Sequence, residues 1–196
     1  MTHRVTTQRR FDPHGTRGVS LVELLTVVVI IGVMVAIALP RIDVSRYRVN
    51  SAMQTAGLLL ISAQQQAVTR QHDFVVGFDA PNGSIRVHQD ANNDGKIDAG
   101  ERVRNWPLGD NVVFGRGGAP AFAIGQPAVT FTQVREGLPS VIFHRSGSAS
   151  EYGGFYLTSR RSALGGLSRD ARAIEVERAT GRATWYRYVN QWSKDF

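Results

Sequence analysis

Apolar and polar positions divide this chain into three regimes. From Leu21 to Leu39 the residues are apolar almost without a break, 19 positions among which Glu23 alone carries a charge. At about 1.5 Å per helical residue the run covers about 28 Å, near the hydrocarbon thickness of a bilayer, and predicts a helix whose first half crosses a membrane. An unpaired carboxylate in that layer costs on the order of a few kcal/mol, so Glu23 needs a partner or a purpose. Further on, Val49, Ala52, Met53, Ala56, Leu59, Leu60, Ala63 and Ala67 recur at steps of three and four, the stripe of an amphipathic helix reaching about Arg70. Its other face is polar, with Asn50, Ser51, Gln54, Ser62 and the Gln64, Gln65, Gln66 run. Pro40, between the two, removes one backbone donor and predicts a kink rather than a stop. The stem from Ser20 to Arg70 would then be about 75 Å long.

After Asp73 the period falls to two. Phe74 to Phe78 and Ser84 to Gln89, separated by Pro81-Asn82-Gly83, predict a hairpin. Further strands are predicted over Val103 to Trp106, Val112 to Phe114, Val129 to Thr132, Val141 to His144 and Phe155 to Ser159. A last hairpin joins Ala173 to Glu177 and Ala183 to Val189 through Thr180-Gly181. Gly- and Pro-rich loops, notably Gly115 to Pro127, lie between them. The predicted class is α+β, a long N-terminal α-helix packed on an antiparallel β-sheet pair or sandwich.

The motif with the most chemistry lies at the start of the apolar run. A basic leader ending in Gly18, a five-residue step to Glu23 and a following apolar helix resemble the class III signal of type IV pilins and type II secretion pseudopilins. The resemblance implies a pilin-like fold and a prepilin peptidase that cuts between Gly18 and Val19 and methylates the new amine of Val19. Val19 stands where the family usually has phenylalanine. Glu23 becomes the fifth residue of the processed chain, and its carboxylate would pair with the N-terminal amine of a neighbouring subunit during assembly. An ordinary secretory signal also starts basic and apolar, and Ala36-Ile37-Ala38 imitates its cleavage site. Such a signal has a shorter apolar run and no acidic residue at its start. A plain membrane anchor explains the length but not Gly18 with Glu23.

Phe78-Asp79 at a strand end, the acidic turn from Asp90, the glycine-rich segment before Phe155-Tyr156-Leu157, and Thr180-Gly181-Arg182 together resemble the GspH/FimT branch of minor pseudopilins. What the resemblance implies is a structural subunit of the type II secretion pseudopilus, exporting proteins across the outer membrane. Its partners would be other pseudopilins or pilins, the prepilin peptidase and the inner-membrane secretion platform. Its place would be the inner membrane, single-pass, with a periplasmic globular domain. The division expected is a leader over residues 1–18, a transmembrane assembly helix over 19–40, its amphipathic continuation over 41–72 and a β-rich domain over 73–196. The alternative from another class is a minor type IV pilin for pilus assembly or DNA uptake. A tethered periplasmic binding module is a third reading.

Composition narrows the chemistry. The chain has 196 residues, a formal net charge of +7 and no cysteine, which rules out disulfides and thiolate chemistry. Removing the first 18 residues, with four arginines and Asp12, takes away +3 and leaves 7 − 3 = +4 on 196 − 18 = 178 residues, enough for one core. The five histidines show no ligand spacing, and no phosphate loop, dinucleotide fingerprint or nucleophile elbow occurs. Nothing in the sequence argues for an enzyme, and no cofactor is required.

Two further sites follow from residue type. Asp90, Asn92, Asp94, Gly95, Asp98 and Glu101 occupy positions one, three, five, six, nine and twelve of a calcium loop, with Lys96 offering its carbonyl. A solvated turn uses the same residues, so calcium and plain turn stand side by side. Arg160, Arg161, Arg169, Arg172, Arg178, Arg182 and Arg187 crowd the last forty residues beside Trp185, Tyr186, Tyr188 and Trp192. Arginines among aromatic rings suit nucleic-acid phosphates and bases, and Arg182 and Arg187 are the candidate DNA contacts under the alternative. The FimT relatives that take up DNA have Gly-Arg-x-Arg, whereas Gly181-Arg182-Ala183-Thr184 lacks the second arginine. A solvated face of mixed charge, diluted by Glu175 and Glu177, is the competing reading.

Overall fold

A computed structural model of the chain describes residues 18–38 and 44–195. They form two compact units that divide between residues 43 and 44.

The first unit holds helix α1 (Leu21–Ala38). Among the described residues no helix is long and apolar enough to cross a membrane. Helix α1 covers 18 residues with Glu23 in its first turn, about 27 Å at the helical rise, where a span needs roughly 20 apolar residues and 30 Å. The expected transmembrane first half is therefore corrected, and so is the single-pass placement in the inner membrane that rested on it. The expected stem from Ser20 to Arg70 passes through residues 39–43, which lie outside the described residues, and its described parts are α1 and a second helix from Ser45. Leu39 and Pro40 lie outside the described residues, and so does the expected kink.

The second unit is built on helix α2 (Ser45–Arg70). The stripe read from the sequence is its buried face: Val49, Ala52, Met53, Ala56, Gly57, Leu60, Ala63 and Ala67 are buried, with Leu59 partly so. Gln71 closes the helix in the left-handed conformation at φ 58°, and Arg70 lies in the last turn, where its charge suits the helix dipole.

Strand β1 (Asp73–Asp79) and strand β2 (Ser84–Asp90) pair over their whole length, from Asp73 opposite Asp90 to Asp79 opposite Ser84. The turn is tied by the Asp79 carboxylate, which accepts from the Asn82 amide (3.1 Å) and side chain (2.8 Å). There follow β3 (Arg102–Pro107), β4 (Val112–Phe114), β5 (Val134–Arg135), β6 (Leu138–Phe143), β7 (Gly153–Ser159), helix α3 (Arg160–Gly165), β8 (Arg172–Val176), β9 (Ala183–Val189) and β10 (Gln191–Asp195). They make two antiparallel sheets, ordered β3-β2-β1-β6-β5 and β10-β9-β8-β7-β4.

Helix α2 and the inner faces of both sheets share one core. Phe78 stands near its middle, with ring centroids 4.8 Å from Phe155, 5.2 Å from Phe131 and 6.1 Å from Phe114. A ring buried this fully contributes about 2–3 kcal/mol through lost water contact alone. The other face of the second sheet carries a smaller cluster of Ile124, Tyr156 and Ala173, overlaid by Phe122, Tyr186 and Trp192. The Gly-rich loop is pinned there: the Tyr156 hydroxyl accepts from the Phe122 amide (2.8 Å) and donates to the Gly125 carbonyl (2.6 Å), and the Trp192 indole donates to the Pro120 carbonyl (3.0 Å).

One predicted strand does not form a ladder. Over Val129 to Thr132 the structure has only an isolated bridge from Val129 to Phe155. The amides of Thr132 and Gln133 both turn to the Glu151 carboxylate, each at 2.9 Å, so a side chain replaces the neighbouring strand.

Candidate functional site

Gly18 and Val19 precede α1, and Val19 is exposed. A side chain added at Gly18 would meet nothing within 4 Å among the described residues. Space among the described residues therefore does not ask for glycine there. Glu23 is exposed on the first turn of α1.

The acidic loop between β2 and β3 is closed by its own first and last residues. The buried Asp90 carboxylate accepts from the amides of Asp94 (3.1 Å) and Gly95 (2.7 Å), and Gly95 supplies the bend at φ +76°. At the far end Glu101 accepts from the amides of Ala91 (2.7 Å) and Asp98 (3.0 Å) and from the ring of His88 (2.6 Å). His88 sits on β2 and is buried. Burial alone would raise the Glu101 pKa, but the Asp98 amide, the His88 ring and the Ala91 amide outweigh it and hold the carboxyl down at about 2. Between these ends Asn92 donates to the Asp98 carboxylate (2.8 Å), and Asp94 accepts from the Lys96 amide (2.8 Å). Among the described residues no group of three or more His, Cys, Asp or Glu is arranged to hold a metal ion. Calcium stays an expectation of the sequence.

Of the arginines near the C-terminal end, Arg172 and Arg187 stand opposite each other on β8 and β9, and Arg182 does not join them. Arg172 is buried, its guanidinium bonded to the Asn50 side chain (2.9 Å) and the Ala171 carbonyl (2.9 Å), and burial pushes its pKa down. Arg187 turns to the α2 side with Trp185 and lies 3.8 Å from Asp195. Arg182 is exposed at the entry to β9 and, by strand alternation, faces the other way with Tyr186. The rings expected to stack on bases are also occupied. Trp185 packs on Gly57 of α2, and Trp192 on Phe122, Tyr156 and Tyr188. On the outer face Tyr152 (2.6 Å) and Tyr186 (2.8 Å) both donate to Glu175. Burial and that carboxylate push Tyr152 up to about 12 and raise Tyr186 as well.

A surface not singled out in the sequence lies at the edge of the first sheet. Arg102, Arg104 and Trp106 of β3 stand opposite Gln89, Val87 and Ile85 of β2. Val87 and Ile85 belong to the core under α2, so these three side chains also turn to the helix. With Arg70 and Gln66 they line a groove of about 230 Å³ over Leu59, Phe74 and Val87. The signal was present in the alternation of Arg102, Arg104 and Trp106.

A protein-family model, type II transport protein GspH, matches residues 52–180, which take in most of α2 and the strands through β8. Two solved structures of the minor pseudopilin EpsH from the type II secretion system of Vibrio cholerae are similar at 14% and 15% identity. They cover 70% and 74% of this chain and 95% and 98% of their own, with TM-scores of 0.44 and 0.47. No curated protein is significantly similar to the chain.

Proposed function

The chain belongs to the GspH family of type II transport proteins, and from that membership we propose that it serves as a minor pseudopilin, a structural and non-catalytic subunit of the type II secretion pseudopilus. The observation that carries the reading is the extent of the family match, residues 52–180, which takes in most of the core shared by α2 and both sheets. The subunit associates with components of that secretion system, and its immediate neighbours would be other pseudopilins.

Processing belongs to the same proposal. A prepilin peptidase would cut between Gly18 and Val19 and methylate Val19, leaving Glu23 to pair with the amine of an adjacent subunit. An exposed Gly18 that the fold does not require supports the first step, and the exposed Glu23 carboxylate supports the second.

The test is export by a strain that lacks this chain. Cargo should accumulate inside the cell and return to the medium when the gene is restored; unchanged export would overturn the reading. A calcium ion in the loop from Asp90 to Glu101 is a separate proposal resting on residue types. A melting temperature raised by calcium and lowered by a chelator supports it, and indifference to both sinks it.

A further inference from the structure

We propose that the open edge of β3 is a strand-addition site for an extended acidic segment of another protein, of the pattern apolar-x-acidic-x-acidic. The inference stands apart from the secretion reading, because it uses only the edge and the groove behind it.

Strand β3 ends its sheet. The Leu108 amide donates to the Gly83 carbonyl at 2.9 Å, and the register continues through Trp106 opposite Ile85 to Arg102 opposite Gln89. Antiparallel alternation then turns the backbone groups of Trp106, Arg104 and Arg102 toward β2, and those of Val103 and Asn105 outward. Pro107 falls in the outward set, where its missing N–H breaks no ladder bond. The free edge thus offers paired donors and acceptors at Val103 and Asn105, enough for a short strand to join.

The side chains say which strand. An added antiparallel strand would bond to Val103 and Asn105, so its close non-bonded pairs fall opposite Trp106, Arg104 and Arg102, with Cβ atoms about 4.5–5.5 Å apart. It passes Trp106 first, which favours an apolar residue, and then meets two guanidinium groups in turn. Neither Arg102 nor Arg104 bonds a carboxylate among the described residues. Arg70 adds a third cation at the groove wall, and Leu59 and Phe74 give it an apolar floor. Glu101, clamped to His88, fixes the start of the strand, so little order has to be imposed on binding.

The occupant is not a second copy of this chain. Acidic residues two apart occur in the sequence only at Glu175 and Glu177, in a stretch held between β7 and β9. Nucleic-acid phosphates would satisfy the arginines but leave the outward amides of Val103 and Asn105 without a role.

A labelled peptide with the core Leu-Thr-Glu-Thr-Glu, titrated with the full chain and followed by fluorescence anisotropy, tests the proposal. Saturable binding is expected, weakened at least about tenfold by the double change Arg102→Glu and Arg104→Glu. Methylating the backbone nitrogens of both threonines, which leaves the charge intact, should abolish it. Equal binding of the methylated peptide or of a scrambled one would overturn strand addition, as would tighter binding of a single-stranded oligonucleotide or the absence of saturation.

Discussion

Two residues show how single side chains set the tolerance of this fold. Gly57 lies in the middle of α2, where alanine in an exposed helix would add up to about 1 kcal/mol of stability. Here the added methyl would fall inside the Trp185 indole, and overpacking of that kind costs about 1–3 kcal/mol. The steric term wins, so Gly57→Ala should lower the urea midpoint, and adding Trp185→Leu should recover part of the loss. Glu101 supplies a pH dependence. Its folded pKa is about 2 against an ordinary 4.5, so its contribution is complete above about 4.5 and fades as pH falls toward 2. Glu101→Gln removes the carboxylate that the Ala91 and Asp98 amides share, at a cost of about 1–3 kcal/mol at neutral pH. In urea titrations the gap between wild type and variant should narrow from pH 6 to pH 3; a constant gap would show that the clamp does not titrate.

Among the elements, the loop from Gly115 to Pro127 depends on one hydroxyl. Tyr156→Phe keeps the ring under Phe122 and Trp192 but leaves the Phe122 amide and Gly125 carbonyl without their partner. It should cost about 1–2 kcal/mol, and amide exchange at Phe122 should quicken far more than exchange in β7. Protection unchanged at Phe122 would mean that ring packing alone holds the loop.

The same elements mark what could be read in advance. Helix α2 was legible because its buried stripe keeps the helical step from Val49 to Ala67, and the β1–β2 hairpin because Pro81-Asn82-Gly83 separates two β-rich runs. Strand β10 was not, since Gln191 to Asp195 carries no alternation and is a strand only by pairing with β9. Val129 to Thr132 has strand composition, yet Glu151 takes the amides that a ladder would have used. Helix α3 hides in a polar stretch and begins where the Ser159 hydroxyl accepts from the Ser162 amide. At the candidate sites, the acidic residues from Asp90 to Glu101 lie in the loop between β2 and β3, but no sequence pattern links His88 to Glu101, whose contact closes it. The sequence also groups Arg172, Arg182 and Arg187, of which Arg172 and Arg187 do stand opposite each other on β8 and β9, whereas Arg182 falls on the other face by strand parity.

At the scale of the whole molecule, processing and folding should be separable. The core lies wholly in the unit after residue 43, and a side chain at Gly18 touches nothing within 4 Å among the described residues. Gly18→Val should therefore leave the melting temperature where it was while the leader stays attached, seen as an uncut mass by spectrometry of the cellular protein. Glu23→Ala should do the opposite under the proposed pairing of its carboxylate with a neighbouring subunit: normal cutting before Val19 and a normal melt, with loss of export. If Gly18→Val lowered stability, the glycine would be serving the fold. If Glu23→Ala exported cargo as well as wild type, charge pairing between subunits would play no part in assembly.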